Sequence, residues 1–145
     1  MLPESYGITK EDILMTLEKQ GTEIQKGDIV LIRTGRMTVW PDREKYENNS
    51  PGLNIDSAQY LVSQGAMILG SDNIALEQGP SVEKDNYFPV HAYLFTEVGA
   101  TILEIMWLEE LSEKEIYEGG LIMTVIPLKG ATGAPVQPIF FPFKK

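Results

Sequence analysis

The chain has 145 residues, 43% hydrophobic, with no cysteine, a single histidine, and 12 basic against 21 acidic side chains for a formal net charge of −9. This length and apolar content suit one folded domain over 1–145 and argue against disorder, while the acidic balance lacks the electrostatic footprint of a nucleic-acid or anionic-lipid binder. The missing cysteines exclude disulfides, thiolate metal ligands and a cysteine nucleophile. With neither a basic-then-apolar leader nor an apolar run approaching ~18 residues, the sequence predicts a cytoplasmic protein without a membrane span.

The first predicted element is an amphipathic helix from Thr9 to Gln20. Thr9 is its N-cap, Glu11 and Asp12 lie in the first turn, Ile13, Leu14 and Leu17 form the apolar face, and Gly21 ends it. Ile29-Val30-Leu31-Ile32 reads as a strand buried on both faces, and the helix-then-strand order points to an α/β layer. The polar stretch Arg36 to Gly52 is expected to be a loop over one end of the sheet. A second helix is predicted from Asp56 to Gln64, stopped by Gly65, then a strand from Ala66 to Gly70. The connection Ser71 to Pro89 is long for a loop without structure of its own, which makes it a candidate functional segment. A short helix follows from Val90 to Val98, then strands at Thr101 to Met106, Gly120 to Pro127 and Val136 to Phe143, with one helical turn at Trp107 to Leu111.

His91 and Glu104 are the leading candidates for chemistry. Glu104 interrupts the apolar run from Thr101 to Met106, where a carboxylate facing the same way as Ile102 and Met106 needs a cation, a metal ion or fixed donors. A helix climbing ~1.5 Å per residue from His91 and a strand descending to Glu104 bring the two back to one level. They read either as metal ligands or as a hydrogen-bonded histidine at a helix start and a glutamate reaching solvent from an edge strand. No second histidine is present, so any further ligands from this chain are acids, which suits a hard cation. Asp72 and Arg33 fall at the carboxyl ends of two predicted strands, where open α/β sheets bind ligands. Each reads as a substrate contact or, alternatively, as a turn-capping carboxylate and a surface ion-pair partner. The apolar segment containing Phe140, Phe141 and Phe143 reads as core or subunit interface.

In order along the chain, Gly27-Asp28-Ile29-Val30-Leu31-Ile32-Arg33-Thr34-Gly35, Pro51-Gly52-Leu53, Gly70-Ser71-Asp72, Phe88-Pro89-Val90-His91, Ile102-Leu103-Glu104 and Leu128 to Ile139 resemble the cyclase family of metal-dependent hydrolases, which includes kynurenine formamidases and isatin hydrolases. The resemblance implies an α/β fold of the swivelling β/β/α type, homo-oligomeric assembly, a divalent metal (zinc or manganese), and hydrolysis of a C–N bond in a small amide or lactam. It places His91 and Glu104 at the family's later metal ligands. The family's His-x-Gly-Thr-His-x-Asp metal motif has no counterpart here, and it belongs upstream of the matched portion. The expectation is therefore the C-terminal portion of such a hydrolase, truncated at its N-terminus, with its metal site completed by a complementing N-terminal polypeptide and little activity alone. The residues that would act directly on substrate are not identified. The rival expectations are a noncatalytic small-molecule binder without bound metal and an oligomerisation module.

Overall fold

A computed structural model describes residues 1–143. Strand β1 (Gly7–Ile8) leads into α1 (Lys10–Gln20), whose start is fixed by a capping box: the Thr9 hydroxyl accepts from the Asp12 N–H, and the Asp12 carboxylate accepts from the Thr9 N–H. Gly21 closes the helix at φ 66°, a left-handed conformation that glycine adopts without side-chain strain. Both predicted ends of this helix are observed. Of its apolar face, Ile13 is buried and Leu17 packs against the core, whereas Leu14 is exposed.

The central sheet is three-stranded and parallel, in the order β2 (Ile29–Ile32), β4 (Ile68–Ser71), β5 (Thr101–Leu103). Between β2 and β4 lie α2 (Arg43–Glu47), β3 (Gly52–Leu53), which pairs in parallel with β1, and α3 (Ile55–Ser63). The core gathers Ile13 of α1, Ala58 and Leu61 of α3, Leu69 of β4, and Val90 and Leu94 beyond it. Strand β2 pairs with β4 and, among the described residues, with no other strand. Its four residues are consequently half-buried, not covered on both faces as its unbroken apolar run predicts.

The polar stretch after β2 is also not a loose loop. A 3-10 turn at Arg36–Val39 and helix α2 fold it inward, with Arg36 and Tyr46 each 1% exposed. The Arg36 guanidinium donates to the carbonyls of Tyr46 and Asn48, which is how a charged side chain is satisfied there. After β4, a connection without helix or long strand runs to α4 (Pro89–Ala92), which widens into a π-helical turn at Tyr93–Val98 and ends at Gly99. Strand β5 stops at Leu103, earlier than predicted. Ile105 adopts φ 59° and the chain continues by donating from Ile105 and Met106 to the Asn73 and Ser71 carbonyls. Helix α5 (Glu109–Glu113) and the antiparallel hairpin of β6 (Gly119–Ile122) and β7 (Ile139–Pro142) complete the described chain.

Candidate functional site

Parallel pairing puts the carboxyl ends of β2, β4 and β5 on one edge, so Arg33, Asp72 and Glu104 leave the sheet together. The three then diverge in role. Asp72 is fully buried, and its carboxylate accepts from the Thr34 N–H and hydroxyl at 2.8 and 2.7 Å and from the Gly35 N–H at 2.7 Å. Gly35, at φ 82°, turns its N–H toward that carboxylate in a conformation a side chain would strain. The expected substrate contact through Asp72 is therefore corrected: its oxygens have no exposure and serve the β2 turn. Arg33 is likewise engaged, its guanidinium donating to both carboxylate oxygens of Glu109 at 3.1 and 2.6 Å. A bidentate pair of this kind fixes α5 against the end of β2, in place of the expected anion contact.

His91 and Glu104 do converge. The imidazole Nε2 lies 3.2 Å from Glu104 Oε1, as the climb and return of the chain predict. The carboxylate is not sunk in an apolar face, however. The Glu104 side chain is 35% exposed, because β5 ends one residue before it. The deeply buried acid is Glu77, at 2%, from the long connection after β4. Its Oε1 lies 2.5 Å from His91 Nδ1 and accepts the His91 N–H at 3.1 Å, while Oε2 accepts the Val90 N–H at 3.0 Å. Sequence reasoning marked that connection as functional but did not single out Glu77. An acid placed to meet a helix start opening with Pro89 is a signal visible only once the chain has folded back.

Phe88 and Phe95 present edge-to-face contacts to the imidazole, each with ring centroids 5.5 Å away, and so wall it on two sides. Hydrogen bonding to Glu104 first, then to Glu77, raises the His91 pKa from 6.5 to about 9 against the opposing effect of burial. The nearby Tyr46 is pushed up to about 12, chiefly by burial, so it stays protonated at neutral pH with its hydroxyl donating to the Asp72 carbonyl.

The pair fits a divalent cation. Two donors at about 2.1 Å from one ion, separated by tetrahedral or octahedral angles, lie about 3.0–3.4 Å apart. The observed 3.2 Å falls inside that interval, with one imidazole nitrogen and one carboxylate oxygen. Among the described residues no group of three or more His, Cys, Asp or Glu is arranged to hold a metal.

The Cyclase family model matches residues 2–78, a span that includes Arg33, Asp72 and Glu77 and ends before His91. An isatin hydrolase of Roseibium aggregatum is 26% identical over 134 residues, covering 87% of this chain and 49% of that protein. The crystal structure of a novel cyclase superposes with a TM-score of 0.85 at 35% identity, over 96% of this chain and 47% of the other. An isatin hydrolase bound to the product analogue thioisatinate superposes with a TM-score of 0.74 at 25% identity, over 95% of this chain and 54% of the other. The chain thus spans about half the length of the relatives it matches. With more than half of its residues matched by the family model and its α/β architecture superposing on solved cyclases, this chain belongs to the Cyclase family.

Proposed function

We propose that this chain supplies His91 and Glu104 to the metal site of a hydrolase that cleaves a C–N bond in a small amide or lactam, the remaining ligands coming from further polypeptide. The observation that carries the reading is the convergence of His91 Nε2 and Glu104 Oε1 at 3.2 Å on the carboxyl edge of the sheet. Similarity to isatin hydrolases supports the substrate class. His91 and Glu104 would hold a zinc or manganese ion, which would supply Lewis-acid chemistry toward a carbonyl and a water. His91 and Glu104 hold and orient that centre, Glu77 anchors the ring from behind, and Phe88 and Phe95 limit how substrate and water approach it.

A separate open cleft of about 880 Å³ between α1, β2, α5 and the β6–β7 hairpin offers a surface for further polypeptide, a second copy or a complementing segment. Met15, Leu17, Val30, Leu111, Leu121 and Phe140 line it, and β2 runs along it with one edge unpaired among the described residues. Covering such a surface removes apolar area from water and gives the strand edge a partner.

Calorimetric titration with zinc and with manganese tests the reading. Weak one-to-one binding that vanishes in His91→Ala, with no hydrolysis of isatin by the chain alone, is expected. Submicromolar binding lost in His91→Ala would contradict the need for completion, and binding that survives His91→Ala and Glu104→Ala would contradict the site.

A further inference from the structure

We infer that Glu77 is a positioning residue for His91: it holds the imidazole with Nδ1 as the proton-bearing nitrogen and turns Nε2 toward Glu104. The inference deepens the proposed metal site and rests on that reading for its consequence.

The backbone around Glu77 is pinned before its side chain is considered. Leu53 donates to the Leu76 carbonyl and Gln78 donates to the Leu53 carbonyl, both at 3.0 Å, so the connection is tied to β3 on either side of Glu77. From this anchor the carboxylate reaches the start of α4. Pro89 has no N–H, and Phe88 gives the helix no side-chain cap, so the first free donors of that helix belong to Val90 and His91. Glu77 accepts both, and with the same Oε1 that accepts the His91 N–H it meets the ring at Nδ1.

The chemistry follows from donor counts. An ionised carboxylate only accepts, so each ring nitrogen that meets one carries a proton in the metal-free ring; buried Glu77 keeps the proton on Nδ1, and the proton a cation displaces is the one on Nε2, whose lone pair is then free. That is the nitrogen facing Glu104 and the one available to a cation. One side chain therefore sets the position of the helix start, the rotation of the ring and the tautomer. A carboxylate behind a metal-binding histidine commonly matters tenfold or more to metal affinity. Glutamine cannot replace it, because an amide offers one accepting oxygen, and its NH2 would confront one of three N–H donors. Aspartate keeps the charge with a shorter reach.

His91 is the only histidine in the chain, so long-range 1H–15N spectra of the labelled protein contain one imidazole and need no assignment. In the wild type the Nδ1 proton is expected as a downfield, slowly exchanging resonance at neutral pH. In Glu77→Gln that resonance should move upfield or vanish by exchange while core amides stay dispersed, and the zinc dissociation constant should rise by roughly 10–100-fold, with Glu77→Asp between the two. A folded Glu77→Gln that keeps the Nδ1 resonance and binds zinc within a factor of about two of wild type would overturn the inference. If Glu77→Gln unfolds, Glu77→Asp decides: faster exchange or an upfield shift of the Nδ1 proton together with weaker zinc binding supports the role, and an Nδ1 resonance and zinc affinity both unchanged from wild type contradict it. Absence of zinc binding by a wild type that shows the slow Nδ1 proton would sink the metal site and leave the hold on the ring standing.

Discussion

Two carboxylate clusters sit within a few residues of one another at the carboxyl edge of the same sheet, and they are built to opposite ends. Asp72 is sealed from solvent and saturated by Thr34 and Gly35, so it has nothing left to offer a ligand. At His91 the buried acid, Glu77, is saturated in the same way, but its partner is a ring whose far nitrogen points outward to a part-exposed Glu104. Position at a strand end is common to both. What separates scaffold from site is whether hydrogen-bonding capacity is consumed internally or relayed to an atom that solvent can reach.

Substitutions on either side of this comparison should separate cleanly. The largest effect on stability is expected from Asp72→Ala, which strands buried N–H groups at Thr34 and Gly35. A loss of about 3–5 kcal/mol, or roughly 10 °C in Tm, should be seen by thermal and denaturant unfolding. His91→Ala should abolish zinc binding by calorimetry, whereas Asp72→Ala studied where it is still folded should keep it, since Asp72 lies outside the His91–Glu104 pair. If folded Asp72→Ala loses zinc as His91→Ala does, the division between scaffold and site fails.

A third expectation concerns pH. Glu104 and then Glu77 hold His91 up to about 9, so at neutral pH a cation must displace a proton from the ring. Apparent zinc affinity should therefore rise roughly tenfold per pH unit between about pH 6 and 8 in calorimetric titrations. A flat profile would show that His91 is not a ligand. The same raised value acts on the metal-free fold with the opposite trend. Because 6.5 is the unfolded value and about 9 the folded one, the stabilisation is complete below pH 6.5 and disappears as pH rises through about 9. Glu77→Gln should flatten that decline. The smallest effect is expected at the remote capping box, where Thr9→Ala should cost about 1 kcal/mol in unfolding experiments and leave zinc affinity unchanged.

Local signals in the sequence were strong where one element decides its own limits. Thr9, Asp12 and Gly21 bound α1 by backbone chemistry confined to that helix, and they were readable as such. The return of Glu104 to His91 was readable because it depends on rise per residue alone. The segment Arg36 to Gly52 was not, since its polar composition hides a guanidinium satisfied by carbonyls of its own fold, and no pattern in the chain announces that. The start of α3 was likewise set by Asn54, which accepts the Ser57 N–H, and not by the first apolar repeat. In the site, the buried acid is Glu77, not Glu104. Burial is a property of where the connection folds, which sequence spacing does not report.

The central claim, that His91 Nε2 and Glu104 share one cation, is tested most directly by zinc titration followed at the two nitrogens of the single imidazole, in the wild type and in Glu104→Gln. Nε2 should shift steeply with zinc while Nδ1 stays protonated, and Glu104→Gln should weaken the response at least tenfold. A response at Nδ1, or an Nε2 response indifferent to Glu104→Gln, would contradict the site.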